Sequence, residues 1–93
     1  MKPRDSQTTI VRILYFARLR EALGRSGEEL VLPAGAAMVG NLTAFLAARG
    51  GAWTAELAAG KAVRVAVNQD MADDGTALKD GDEVAYFPPV TGG

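Results

Sequence analysis

The chain has 93 residues, of which 48% are hydrophobic and 23% are charged. These values are typical of one globular domain and exclude a largely disordered chain. Lys and Arg number 10 and Asp and Glu 11, a formal net charge of −1, so we expect no basic face for nucleic acid. The absence of cysteine and histidine excludes disulfides, Cys/His zinc sites and catalytic relays that need a thiol or an imidazole.

The N-terminal residues predict neither an export signal nor a membrane span. The apolar run at residues 10–17 is interrupted by Arg12, whereas a signal peptide needs about 7–15 uninterrupted apolar residues and a membrane helix about 20. We therefore expect a cytoplasmic protein without membrane association, in which residues 1–8 form a flexible leader.

Residues 9–16 predict the first strand, because their side chains alternate between two faces. One face comprises Val11, Ile13 and Tyr15, and the other Arg12, Leu14 and Phe16. The second face is unusual, since two of its three residues are large and apolar. Residues 17–23 predict a short helix that Gly24 ends, and residues 28–32 predict a second strand.

The longest helix is predicted at residues 36–49, where Gly50 and Gly51 provide a strong stop. Its expected apolar stripe consists of Met38, Leu42, Phe45 and Leu46. The start of this helix has no hydroxyl or carboxylate cap, and Gly40 lowers its helix propensity. Residues 53–59 predict another helical turn, in which Trp53 fills the core or its edge.

The second half of the chain predicts strands at residues 63–67 and 83–87. Between them we expect polar turn material at residues 68–74 and a very short strand at residues 77–78. This order predicts an α+β domain at residues 9–89, with a mixed four- or five-stranded sheet packed on one main helix. The order is compatible with a β-grasp, in which the first and last strands are neighbours at the sheet centre.

The C-terminal segment carries the clearest chemical signal. Pro88 and Pro89 follow the last strand, and Val90, Thr91, Gly92 and Gly93 end the chain. Because glycine has no Cβ, residues 90–93 are expected to project as a thin tail that brings the Gly93 carboxylate into another protein's active site. A carboxylate needs activation, for instance as an acyl-adenylate, before a sulfur nucleophile can form a thiocarboxylate. This chain has no thiol, so the sulfur source must lie elsewhere.

Three segments of the chain resemble the MoaD family, the small, ubiquitin-like sulfur-carrier subunits of molybdopterin synthase. They are residues 14–21 (LYFARLRE), residues 67–69 (VNQ) and residues 81–93, which end in FPPVTGG. The resemblance extends over residues 9–93 and implies a β-grasp fold. Its most specific element is the FPPVTGG ending, because many ubiquitin-like proteins share Gly-Gly alone. One departure is that relatives usually cap the long helix with a hydroxyl, whose loss costs about 1 kcal/mol.

The resemblance also implies a sulfur cycle in which this chain is a non-catalytic donor. An E1-like enzyme would use ATP to adenylate Gly93, and a sulfurtransferase persulfide would convert it into a C-terminal 1-thioglycine. The tail would then enter the large, catalytic subunit of a heterotetrameric molybdopterin synthase and transfer sulfur to cyclic pyranopterin monophosphate. The chain itself would bind no cofactor and no metal.

An apolar patch beside the root of the tail is the expected docking surface for this partner. Its expected residues are Leu14, Phe16, Phe87, Pro88 and Pro89, next to Val90. Alternatively, both sheet faces are covered internally, partly by the Trp53 segment. Lys61 and Arg64 are either solvated charges or a basic border that meets acidic partner groups.

Other functions stay open from the sequence. A carrier for thiamine thiazole synthesis would share the tail chemistry, although the Pro-Pro-Val-Thr context favours molybdopterin synthesis. A ubiquitin-like modifier would form isopeptide bonds with lysines, and a plain binding domain would have an inert tail. Asp70, Asp73 and Asp74 loosely resemble a calcium loop but lack its glycine and glutamate spacing, so a solvated turn is favoured.

Overall fold

The computed structural model describes residues 8–33, 37–58 and 61–89. The elements in these ranges are β1 (Thr8–Tyr15), α1 (Arg18–Leu23), β2 (Gly27–Pro33), α2 (Val39–Ala47), α3 (Ala52–Leu57), β3 (Arg64–Val67), β4 (Asp70–Ala72) and β5 (Glu83–Phe87). None of these helices is long and apolar enough to cross a membrane. The predicted leader lies outside the described residues except for Thr8, with which β1 begins.

The five strands form one mixed sheet in the order β2-β1-β5-β3-β4. Strands β1 and β5 are parallel neighbours at its centre, and the other pairs are antiparallel. The predicted α+β class and β-grasp arrangement are therefore confirmed. Strand β5 has the predicted bounds, whereas the other predicted elements begin or end at slightly different residues.

The alternation in β1 decides which face of the sheet is covered. Val11, Ile13 and Tyr15 are buried, as are Val84 and Tyr86 of β5. The helices complete this core with Leu19, Leu23, Val39, Leu42, Leu46 and Leu57. One core therefore lies between the helices and one face of the sheet, as the pattern in β1 predicts.

Helix α2 begins at Val39, three residues later than predicted, because Met38 is extended (φ −139°, ψ 151°) and bridges to Ala77. The stripe that packs into the core consists of Val39, Leu42 and Leu46. The prediction that Met38 and Phe45 belong to this stripe is wrong, since they are 39% and 53% exposed.

A loop that is distant in sequence, residues 74–76, takes the place of the missing side-chain cap of α2. The N–H groups of Val39 and Gly40 donate to the carbonyl oxygens of Thr76 and Asp74, at 3.0 and 2.9 Å. These bonds satisfy donors that a helix start otherwise leaves unpaired. A Cβ on Gly40 would lie 3.0 Å from the Cβ of Asp74, so the glycine that weakens the helix also permits the loop to approach it.

The segment predicted as polar turn contains the edge strand β4, so that prediction is wrong for residues 70–72. Asn68 and Gln69 have φ values of 50° and 73°, as in the type I′ turns of two-residue hairpins. This turn pairs Asp70–Ala72 with β3. Three residues without a β-branched side chain are too short a run for periodicity to detect. Ala77, predicted in a very short strand, forms only the isolated bridge to Met38.

Candidate functional site on the open face of the sheet

The sheet face opposite the core, called here the open face, carries three cross-strand rows. The tail row contains Phe87 and Arg64, with Phe16 beside them at the end of β1. The apolar row contains Leu14, Ala85, Ala66 and Met71. The charged row contains Glu29, Arg12 and Glu83. The apolar row therefore lies between the tail row and the charged row.

Phe16 marks the point where β1 leaves the sheet. Its N–H still donates to the Tyr86 carbonyl oxygen at 3.1 Å, which keeps Phe16 level with Phe87. Ala17 then reverses the chain with a φ of 56°, a region that residues other than glycine rarely adopt. Phe16 is left 45% exposed, directly beside the end of β5.

The structure brings the predicted patch residues to one end of the open face. Leu14 pairs with Ala85, two residues before Phe87, and the strand β5 continues into Pro88 and Pro89. Leu14, Phe87 and both prolines are half-buried. The remaining predicted residues, Val90, Thr91, Gly92 and Gly93, lie outside the described residues, so the projecting tail stays a prediction.

The apolar row adds residues that the sequence reasoning missed. Met71 is 60% exposed at the end of the row, and the small side chains of Ala66 and Ala85 leave a flat surface between it and Leu14. No sequence signal could have placed Met71 here without β4. At the other end, a Cβ on Gly27 would lie 2.6 Å from the Ile13 carbonyl oxygen and 3.1 Å from Leu14 Cδ2, so glycine is needed there.

A network of polar side chains holds the C-terminal end of β1 in place. It lies on the face of the sheet toward the core, called here the covered face, beneath the tail row. The Tyr15 hydroxyl donates to Glu28 Oε2 at 2.7 Å, and the Arg49 guanidinium donates to both Glu28 oxygens at 2.9 and 3.0 Å. The Arg49 Cζ lies 4.4 Å from the centroid of the Trp53 ring. The Trp53 and Tyr15 rings pack in a T-shaped arrangement, with centroids 5.4 Å apart. Trp53 therefore covers the core side of β1, and the alternative that its segment covers the open face is wrong.

The network holds its titratable groups in one charge state near neutral pH. Burial and the hydrogen bond to Glu28 raise the pKa of Tyr15. Burial alone would raise the pKa of Glu28, but the hydrogen bonds from Arg49 and Tyr15 outweigh it and lower that pKa. Burial likewise raises the pKa of Tyr86, whose hydroxyl lies 2.6 Å from Thr43 Oγ1. A neutral tyrosine and an ionised glutamate suit a structural role.

The remaining candidates from the sequence give no chemical centre. Among the described residues, no three Asp or Glu side chains lie close enough to hold a metal ion. Asp73 Oδ1 instead accepts hydrogen bonds from the Gly75 N–H at 3.0 Å and the Thr76 hydroxyl at 3.3 Å. Lys61 and Arg64 are exposed, and Arg64 pairs in register with Phe87. The open face therefore presents exposed and half-buried apolar side chains, with charges at its borders.

Comparison with known families and proteins agrees with this geometry. The ThiS family model matches residues 13–93. The molybdopterin synthase sulfur carrier subunit of Escherichia coli (strain K12) is 40% identical over 84 residues, which are 90% of this chain and 100% of the relative. The protein of the same name from Haemophilus influenzae is 38% identical over 84 residues, with the same coverage.

Solved structures show the same fold. A putative molybdopterin converting factor subunit 1 from Pyrococcus furiosus is 34% identical (TM-score 0.75, 88% of this chain, 99% of that chain). Small archaeal modifier protein 1 (SAMP1) from Haloferax volcanii is 31% identical (TM-score 0.70, 90% and 99%). A chain in the complex of subunits 1 and 2 of the Helicobacter pylori molybdopterin-converting factor is 27% identical (TM-score 0.62, 91% and 100%). The chain therefore belongs to the ThiS family and, within it, to the MoaD family of molybdopterin synthase sulfur carrier subunits.

Proposed function

We propose that this chain carries sulfur as a thiocarboxylate on Gly93 and donates it to cyclic pyranopterin monophosphate in a two-subunit molybdopterin synthase. The observation that supports the proposal is the convergence of exposed and half-buried apolar side chains at the end of β5. Strand β5 leads directly into Pro88, Pro89 and the terminal glycines. A partner docked on this face would lie within reach of the segment from Pro88 to Gly93, which extends to about 20 Å.

The large subunit of the synthase is the proposed partner. The Helicobacter pylori structure is, by its name, a complex of the two subunits of such a factor. This chain has no cysteine and no histidine, and its Tyr15–Glu28–Arg49 network lies on the covered face of the sheet. In this proposal the catalytic groups come from the large subunit, in a heterotetramer, and this chain acts as a donor without a cofactor of its own.

The loading chemistry takes place on partner enzymes. In an E1-like enzyme, the Gly93 carboxylate attacks the α-phosphate of ATP, which gives an acyl-adenylate and pyrophosphate. The terminal sulfur of a sulfurtransferase persulfide then displaces AMP and forms an acyl disulfide. A second thiol cleaves the S–S bond, which releases the thiocarboxylate and leaves a disulfide between the two thiols. In the synthase, the thiocarboxylate sulfur bonds to a side-chain carbon of the pterin precursor and displaces an oxygen substituent from it. Water then cleaves the acyl carbon–sulfur bond, which leaves the sulfur on the pterin and restores the Gly93 carboxylate.

Intact-mass analysis of the C-terminus tests the loading step. The chain is incubated with ATP, the E1-like enzyme and a sulfur donor, and the expected mass change is the replacement of one oxygen by sulfur. A variant extended beyond Gly93 is the control, because its carboxyl group is consumed in a peptide bond. It should fold normally and remain unloaded.

Conversion of cyclic pyranopterin monophosphate to molybdopterin by the reconstituted complex tests the transfer step. Gly93→Ala keeps the carboxylate but adds a methyl group in a channel that fits bare backbone. Misplacement of a reacting group by about 1 Å costs about 100-fold in rate, so transfer should fall by that order. Full activity from a chain whose extension beyond Gly93 is shown intact by mass would disprove the sulfur-carrier proposal.

A second candidate function is protein modification, which the likeness to small archaeal modifier protein 1 of Haloferax volcanii favours. The same acyl-adenylate would then react with a lysine amine and form an isopeptide bond. Lysine-linked adducts of this chain in cell extracts would support this function. A carrier for thiamine thiazole synthesis would be loaded identically, but the names of the relatives favour molybdopterin synthesis.

A further inference from the structure

The side chains of the charged row alternate in charge across three neighbouring strands. Arg12 at the middle of β1 is the register partner of Glu29 in β2 and of Glu83 in β5. Directly opposed residues on antiparallel strands, such as Arg12 and Glu29, have Cβ atoms about 5 Å apart. One cation thus lies between two carboxylates, on the side of the apolar row that is far from the tail.

No ion pair joins these three side chains in the described part of the chain. The ion pairs there are formed by Arg18, Arg25 and Arg49, and none involves Arg12, Glu29 or Glu83. Arg12 and Glu29 are exposed, and Glu83 is half-buried. The charges therefore remain available to groups outside the domain.

The backbone beneath the charged row is held firmly. The Arg12 N–H donates to the Asp82 carbonyl oxygen at 2.9 Å, and the Glu83 N–H donates to Asn68 Oδ1 at 3.0 Å. Shallow grooves of about 230 and 220 Å³ lie on the two sides of Arg12. A rigid backbone with unpaired side chains and grooves beside them suits the reception of side chains from another surface.

We propose that the charged row is a specificity element for the large subunit, whose docking surface presents one carboxylate to Arg12 between two cationic groups that face Glu29 and Glu83. This inference rests on the proposed function, in which the open face docks on that subunit. The apolar row supplies most of the affinity, whereas complementary charges suppress wrong orientations and raise the association rate.

The position of the charged row gives it a role in orienting the tail. The apolar row alone is a nearly flat surface of small and aliphatic side chains, on which a partner could rotate. The charged row lies on one side of it only, so a partner rotated by half a turn would lose all three charge contacts. Because the segment from Pro88 to Gly93 reaches only about 20 Å, this orientation decides whether Gly93 enters the partner's active site.

The test measures association and dissociation rates of the unloaded full-length chain with the large subunit at several ionic strengths. Arg12→Glu should raise Kd at least tenfold, mainly through slower association, and weaken its salt dependence. Glu29→Gln combined with Glu83→Gln should give a smaller change in the same direction. Arg20→Glu is the matched control, since Arg20 is exposed on α1 away from the open face, and should bind like the unchanged chain.

The outcomes separate this inference from the proposed function. If the unchanged chain fails to bind the large subunit, the proposed function is wrong. If it binds, and Arg12→Glu and Arg20→Glu bind equally well, the charged row has no such role. If Arg12→Glu slows loading by the E1-like enzyme but leaves binding to the large subunit unchanged, the charged row is not a specificity element for that subunit. Melting curves confirm that each variant is folded, and Arg12→Gln replaces Arg12→Glu if the latter unfolds.

Discussion

Ile13 and Leu14 are neighbours in β1, yet they lie on opposite faces of the sheet and differ in burial. Ile13 lies on the covered face and is fully buried, whereas Leu14 lies on the open face and is half-buried. The same holds in β5 for Tyr86 and Phe87. One backbone thus supports a core on one face and a partly exposed apolar surface on the other. The comparison teaches that size and apolarity alone do not tell a buried residue from a partly exposed one, because the pleat of the strand decides the face on which each side chain lies.

Replacement of Ile13 should have the largest effect of all. Ile13→Ala leaves a cavity in the core and should lower the free energy of unfolding by about 2–5 kcal/mol. Leu14→Ala is the matched variant on the open face and should cost about 1 kcal/mol or less. Urea denaturation followed by Trp53 fluorescence measures both. Equal losses for the two variants would mean that both faces are covered.

Replacement of Phe87 should affect binding more than folding. Phe87→Ala should weaken the complex with the large subunit by about 2 kcal/mol or more, as at a central interface residue. Phe45→Ala is the control, because Phe45 is exposed on α2 in the helical layer, and should bind normally. Titration calorimetry measures both affinities. If Phe87→Ala unfolds by itself while its folded fraction binds normally, Phe87 belongs to the core.

The pH dependence of stability should follow the covered-face network. Because the folded-state pKa of Glu28 is lowered, its stabilisation is present above its ordinary pKa of 4.5 and is lost as the pH falls through the folded-state value. The pKa of Tyr15 is raised, so its stabilisation is lost as the pH rises above 10.0, the ordinary value.

Glu28→Gln should lower the free energy of unfolding by about 1–2 kcal/mol at neutral pH. It should also reduce the acid limb, which is the decrease of that free energy as the pH falls from 7 to 3. Glu29→Gln, the adjacent carboxylate on the open face, should leave both unchanged. Chemical denaturation between pH 3 and 7 measures the two variants. An acid limb that is identical in Glu28→Gln and in the unchanged chain would show that the network does not stabilise the fold.

Removal of the terminal glycines should have the smallest effect on stability. Gly92 and Gly93 follow the last strand and contribute no apolar side chain to the pattern of the core. Their deletion should therefore change the free energy of unfolding by no more than about 0.5 kcal/mol, while sulfur loading is abolished. A thermal melt and intact mass measure the two effects. A domain that loses its cooperative melt on this deletion would contradict a projecting tail.

The sequence by itself determined the fold class and most of the covered face. Alternation in β1 and β5 depends on neighbouring residues only, so the strands and their buried faces were predicted correctly. The patch residues Leu14, Phe16 and Phe87 followed from the same alternation. The relatives could also be recognised from local runs, above all the FPPVTGG ending. Each of these features depends only on residues that are consecutive in the chain.

Only the tertiary structure decided the features that depend on distant residues. The carbonyl groups of Thr76 and Asp74 set the start of α2 at Val39, and no pattern near residue 36 contains that information. Pairing with β3 made Asp70–Ala72 a strand and placed Met71 on the open face. The charged row exists because three strands align in one register. Strand register and long-range hydrogen bonds join residues that are far apart in the chain. The periodicity of a short segment therefore cannot predict them.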